Sequence, residues 1–335
     1  GMTGSENFAS GHRWGFFPSL SGAWRISEES FMESTRSWLD NLKIRLSWGK
    51  LGNSEIGNYE YQSVYGPSRY VFGNALASGL AITAASNELL QWEATTTTNF
   101  GIDASLLNNR LTASIDIYHK MTTGILYRPT MEYVLGNHTA PRQNIAEVSN
   151  DGIEFSLGWR DRIGKVEYSV SGNFSYNKNK LLELYNGVEE YVNSTTGLKY
   201  VVGHSVHEYF MNRYAGVNPA NGDALWYTAD GELTTEFREE DKVMTGKTFD
   251  SPWAGGFGTT LMWKGLSLSA QFSWMAKRYV MNNDRFFEES NGIYSAYNQS
   301  KRLLYDRWKK PGDITDIPRY DVVARLDDRF LENTS

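Results

Sequence analysis

The chain has 335 residues, a formal net charge of −6, no cysteine, and 14% aromatic against 21% charged residues. Its basic residues are scattered, so it lacks the concentrated stripe that nucleic-acid binding by counterion release requires. The absent cysteines exclude disulfides, thiolate metal sites and a thiol nucleophile, and no apolar run has the length of a membrane helix.

What remains is a strand-rich class, because ring side chains with Ser, Thr, Asn and Gly suit pleated surfaces and turns. A negative mean hydropathy fits a membrane barrel, whose strands alternate lipid-facing with lumen-facing side chains. Gly1-Met2 reads as an expression remnant, with the natural amino terminus expected elsewhere. In chain order, Trp14 to Ile26 predicts a strand interrupted by Pro18, and Leu42 to Trp48 a strand of clean alternation. A long connection, 51–88, follows. Phe100 to Leu106 and Leu111 to Ile117 form the next pair, joined tightly by Leu107-Asn108-Asn109-Arg110. After a second long connection, 122–147, Ile153 to Trp159 puts four apolar side chains on one face. A short link, Arg160 to Gly164, leads to Val166, Tyr168, Val170, Gly172, Phe174 and Tyr176, again on one face. The longest connection, 177–251, precedes Phe257 to Trp263, where Met262 breaks the polar face, and Lys264-Gly265 turns the chain into Leu266 to Trp274. Weak helical spacing at Lys180 to Glu190 and Gln299 to Lys309 falls in loop territory.

Short and long connections alternate along the chain, against a usual median of about 4–6 residues. In an up-and-down sheet this collects the tight turns at one end and the long loops at the other, as in outer-membrane barrels. A secreted carbohydrate-binding β-sandwich is the alternative, but its loops occupy both ends. The fold expected is all-β: an antiparallel up-and-down sheet, residues 1–335 being part of a transmembrane β-barrel with long extracellular loops.

At this point the residues resemble the SusC/RagA-type TonB-dependent receptors of the Bacteroidetes outer membrane. The resemblance rests on segments in family order: Trp14-Gly15-Phe16-Phe17-Pro18-Ser19 with Trp24-Arg25-Ile26-Ser27-Glu28-Glu29, then Leu42-Lys43-Ile44-Arg45-Leu46-Ser47-Trp48-Gly49 with Gly52-Asn53. Leu90-Gln91-Trp92-Glu93, Asn99-Phe100-Gly101-Ile102-Asp103, Asn109-Arg110-Leu111-Thr112 with Tyr118, and Asn150-Asp151-Gly152-Ile153-Glu154 continue the series. Gly203-His204-Ser205, Asp306-Arg307-Trp308 and Arg329-Phe330-Leu331-Glu332 complete it, with Asp151 standing where the family has Lys. The resemblance implies roughly eight of about twenty-two strands, with the plug, the early strands and the last strands lying outside the chain. It also implies outer-membrane nutrient uptake energised by TonB through that plug, with a SusD-like surface lipoprotein as partner, oligosaccharide or another nutrient as cargo, and outer-membrane lipid around the wall. A sheet cut on both sides is expected to associate with other copies along its edges.

Enzymatic constellations are weak. His204 and His207 lack a third metal ligand, and Asn218 to Asp223 lacks the full calcium-loop spacing. Glu239-Glu240-Asp241 reads as a solvated face. No Gly-x-Ser-x-Gly, P-loop or His-Glu-x-x-His motif occurs, so no enzyme, cofactor or metal is expected. Ligand or partner contacts are expected from the longest loop: Tyr209, Asn212, Arg213, Trp226 and Tyr227, beside Phe210 and Tyr214. Their rings suit the C–H faces of sugars, and their amide and guanidinium groups suit hydroxyls.

Overall fold

A computed structural model describes residues 1–128, 140–184, 187–192, 199–294 and 296–335. The chain divides into two compact units: residues 1–206 with 253–274, and residues 207–252 with 275–335.

The first unit is built on one eight-stranded sheet. Its strands are β1 (Ser19–Arg25), β2 (Leu39–Asn53), β3 (Glu93–Leu106), β4 (Leu111–Thr123), β5 (Ala146–Ile163), β6 (Val166–Leu184), β7 (Trp253–Trp263) and β8 (Leu266–Ala276). Their spatial order is their chain order, each strand beside the next. Pairing from β1 through β7 is antiparallel. The links 107–110, 164–165 and 264–265 are turns at one end of the sheet, joined there by 26–38, which is longer and carries two 3-10 turns. The strands meet connections 54–92, 124–145 and 185–252 at the other end. The one-ended arrangement follows the spacing of the sequence.

Several local expectations change. β5 and β6 pair as far as Ile163 and Val166, so the turn is Gly164-Lys165, with Gly164 at φ +61°, and Arg160, Asp161 and Arg162 belong to the strand. The expected strand at Trp14 to Ile26 is two pieces. Trp14–Phe16 pairs with Met2–Gly4, Pro18 cannot donate a ladder hydrogen bond, and Ser19–Arg25 joins the main sheet. No helix forms over Lys180–Leu184, which continues β6. A bulge opposite Glu147 and Val148 matches Val148 with Leu181 and Ala146 with Leu184, so two buried leucines three apart mimic helical spacing. The 299–309 segment does hold a short helix, Arg302–Tyr305. Inside the long connection 54–92, Val64–Phe72 and Ala75–Ala84 form a hairpin that the sequence reading did not anticipate.

The second unit is a set of small antiparallel ladders. Glu208–Met211 pairs with Val243–Thr248, Arg213–Val217 with Ala224–Tyr227, and Tyr279–Met281 with Leu331–Asn333. Phe330 and Trp226 are buried in this unit, and Phe286 meets Phe330 edge-on with ring centroids 5.3 Å apart. Arg302 joins Glu289 (2.6 Å) and Asp316 (2.8 Å), tying the short helix to the loop after it.

Candidate functional site: a two-faced wall and a loop unit

Period-2 alternation gives the sheet two unlike faces. On one face, Leu46, Phe100, Ile117, Ile153, Tyr176 and Trp253 stand in a single row across six strands. The next row toward the turns is Ile44, Ile102, Ile115, Phe155 and Phe174. Leu46, Phe100, Ile117 and Phe155 are exposed. Exposed apolar rows of this extent have no place facing water in a soluble monomer. Charge borders them on both sides: toward the long connections His119 Nδ1 lies 2.6 Å from Asp151 Oδ1, and toward the turns Arg110 lies 3.3 Å from Asp161.

The opposite face is a hydrogen-bonding wall. Arg45 on β2 donates from Nε to Asp103 Oδ2 (2.8 Å) and from Nη2 to Asp103 Oδ1 (2.9 Å) and Asp116 Oδ2 (3.0 Å). Asn99 Nδ2 donates to the other Asp116 oxygen at 2.9 Å. Asp116 is on β4, so the guanidinium must cross β3, and it crosses at Gly101. A Cβ there would lie 2.6 Å from Arg45 Nη2 and 2.6 Å from Asp116 Oδ1. The device recurs one step along the sheet. Tyr118 on β4 crosses β5 at Gly152 and donates to Asn177 Oδ1 on β6 at 3.2 Å. From there the chain of amides continues: Asn177 and Asn179 each donate to Asn150 Oδ1 at 3.1 Å, and Ser205 Oγ donates to Asn179 Oδ1 at 3.1 Å. Farther across, Ser169, Ser171, Asn173, Gly256, Gly258, Thr260, Ser269 and Gln271 line a shallow polar groove without a charged residue among them. The wall can hold water or a polar solute by hydrogen bonds, and its ion pairs among the described residues stand across β2 to β4 and near its ends.

The residues expected to contact ligand divide into two groups. Asn212 and Trp226 are buried. Asn212 Nδ2 donates to the Arg238 carbonyl at 2.7 Å, and Trp226 Nε1 donates to Asp327 Oδ2 at 2.8 Å while packing edge-on to Tyr214 and Phe237. Both side chains serve the interior of the second unit, where the sequence reading expected ligand or partner contacts. Arg213 and Tyr227 reach the surface together. The guanidinium lies 5.4 Å from the Tyr227 ring centroid and donates to the Thr228 carbonyl at 2.8 Å. Tyr209 is half-buried, and desolvation raises its phenol above the ordinary value. Tyr214 is also shifted upward by burial, beneath the Arg329 guanidinium at 3.9 Å.

Sequence reading missed Asp327. It is fully buried, accepts from the Trp226 indole and pairs with Arg329 Nε at 3.1 Å, and desolvation nonetheless pushes its carboxyl up to about 6. Its neighbours Asp328 and Arg329 make the segment look like an exposed charge run. The other constellations are structural. His207 pairs with Asp250, Asp223 accepts from Arg319 Nε at 3.0 Å, and Asp241 accepts from the Ala229 amide at 3.1 Å. No group of three His, Asp or Glu side chains gathers for a metal among the described residues.

Residues 2–323 match the family described as "TonB dependent receptor-like, beta-barrel". The chain is 28% identical to TonB-dependent receptor P39 of Formosa agariphila, over 95% of its own length and 34% of that protein. It is 33% identical to TonB-dependent receptor SusC of Bacteroides thetaiotaomicron, over 66% of its length and 23% of that protein. The solved structure of the RagAB peptide transporter superposes with a TM-score of 0.89 at 33% identity, over 98% of this chain and 37% of that one. The chain thus spans about a third of the length of the first of these relatives.

Proposed function

Because the chain belongs to the TonB-dependent receptor-like β-barrel family of outer-membrane proteins, we propose that it supplies wall and outer loops to a TonB-energised nutrient importer working with a SusD-like surface lipoprotein. The observation that carries this is the two-faced sheet. Its apolar rows suit acyl chains, its opposite face suits a polar passage, and its long connections gather at the end where an incoming solute would be met. The chain's part is binding and passage. Cargo contact falls to surface groups such as Tyr209, Arg213 and Tyr227, which offer ring faces and donors; Asn212 and Trp226 hold the loop unit that presents them.

Oligosaccharide is the cargo favoured by an uncharged hydroxyl- and amide-rich groove, because sugar hydroxyls exchange hydrogen bonds with such a surface without stranding a charge. Peptide is the second reading, supported by the likeness to the RagAB peptide transporter. Cells lacking the receptor gene are compared with the parent for uptake of labelled oligosaccharides and labelled peptides, in the presence and absence of TonB. The proposal expects TonB-dependent loss of oligosaccharide uptake. Loss of peptide uptake alone selects the second reading, and unchanged uptake of both classes refutes the importer.

A further inference from the structure

On β6 the apolar face of the wall ends, toward the long connections, in two lysines. Lys178 and Lys180 follow Phe174 and Tyr176 on that face, two residues apart and therefore roughly 7 Å from one another. Both are exposed, and neither has an ion-pair partner among the described residues. Across the ladder to β5, Lys178 stands opposite Asp151 and Lys180 opposite Ser149. The Asp151 carboxylate is engaged on its other side, by His119 of β4 at 2.6 Å. Farther out, beyond the bulge, Glu147 stands opposite Glu183, and neither is in an ion pair among the described residues. Two like charges side by side on one strand repel, so this pair calls for an anion from outside the wall.

Directly below the lysines lies an aromatic shelf. Ring centroids are 4.2 Å apart for Tyr176 and Trp253, 5.5 Å for Phe174 and Trp253, and 6.2 Å for Phe174 and Trp274. Trp274 reaches Phe174 from β8 because Gly255 of β7 lies between them: a Cβ there would stand 2.7 Å from the indole. Trp274 is still 40% exposed. Aromatic rings gather at the level of lipid headgroups, and lysines just beyond them extend their ammoniums among the phosphates.

The family fixes what meets this face. In an outer-membrane barrel the apolar side of the wall adjoins lipid. A strand added at either margin of the sheet extends it in its own plane, beside the shelf and not over it. Water would leave the rings bare, and plain hydrocarbon would strand two charges. A molecule with an anionic head and an apolar tail satisfies both.

We propose that Lys178 and Lys180 hold the phosphate of one membrane lipid, whose acyl chains lie on the shelf of Phe174, Tyr176, Trp253 and Trp274. The His119–Asp151 pair borders the site and keeps the nearest carboxylate from neutralising the lysines. The site is independent of the cargo and of the lipoprotein, so failure of either reading leaves it standing.

The test uses the intact receptor in detergent and dioctanoyl phosphatidic acid as the probe, with bound lipid counted by native mass spectrometry. Lys178→Gln with Lys180→Gln removes both charges, Lys178→Arg with Lys180→Arg keeps them, and Lys165→Gln at a turn is the control. Heat-modifiable migration reports barrel folding and is expected to be unchanged in all three. One saturable lipid is expected on the unaltered receptor, on the arginine pair and on the control. The glutamine pair is expected to bind it at least tenfold more weakly. A folded glutamine pair that binds as the unaltered receptor does overturns the site, as does an unaltered receptor that binds no lipid. Equal binding of dioctanoylglycerol, which lacks the phosphate, reduces the site to an apolar surface and overturns it. Displacement of the lipid by inorganic phosphate at equal concentration assigns the lysines to a free anion and likewise overturns the proposal.

Discussion

Gly101 and Gly152 show how much of the polar wall depends on the absence of a side chain. Each lets a long side chain from one strand reach an acceptor two strands away, and each would place a Cβ within 2.6 Å of that side chain. Gly101→Ala is therefore expected to displace the Arg45 guanidinium from Asp116 and to cost about 1–3 kcal/mol. Urea unfolding of the receptor refolded in vesicles measures this, with Gly22→Ala, whose Cβ meets open space, as the control. At Asp327 the prediction concerns pH. A buried carboxyl raised to about 6 is held more tightly by its proton in the folded unit than in the unfolded chain. Its stability contribution is fully present below about pH 4 and is lost as pH rises through about 6, a change of ~3 kcal/mol. Asp327→Asn keeps an acceptor for Trp226 and is expected to remove that pH dependence, as read from tryptophan fluorescence during unfolding at pH 4 and pH 7. These residues were the least legible in the sequence. Gly101 appears there only as a motif letter, Asp327 not at all, and Trp226 and Asn212 as ligand or partner contacts. What decides each is packing between segments distant in the chain, which local pattern does not carry.

At the scale of elements the sequence was far more informative, because period-2 alternation is a local property and a one-residue slip would turn every side chain to the wrong face. Residues Ile153 to Trp159 and Leu42 to Trp48 lie on strands with the faces expected. The consequence is measurable. Phe155→Arg on the apolar face is expected to cost about 2–4 kcal/mol of folding into bilayers, while Ser156→Arg, one residue along and facing the polar wall, costs little. Equal effects at the two positions would contradict the assignment of faces. The element-level errors have definite causes. The β6 bulge places two leucines three apart on one side, and the hairpin at 64–84 lies inside what the spacing gives as a long connection, although Gly73-Asn74 between apolar runs is a hairpin signal. Apolar residues fall on both of its faces, mixed with Arg69 and Ser78 on one and Ser68 on the other, so alternation gives little sign of it.

At the scale of the whole molecule, the described sheet has two free margins, since β1 and β8 each have a neighbour on one side. Residues 1–335 produced alone in detergent are expected to associate along these edges. Sedimentation showing a monomer, with rapid amide exchange throughout β1 and β8, would contradict this. The separation of short turns from long connections has a practical corollary. A peptide epitope inserted at Asn221-Gly222, within the connection 185–252, is expected to be reached by antibody added to intact cells. The same epitope at Gly164-Lys165 would stay hidden until the envelope is permeabilised, so two insertions and one label report the orientation of the wall in a living cell.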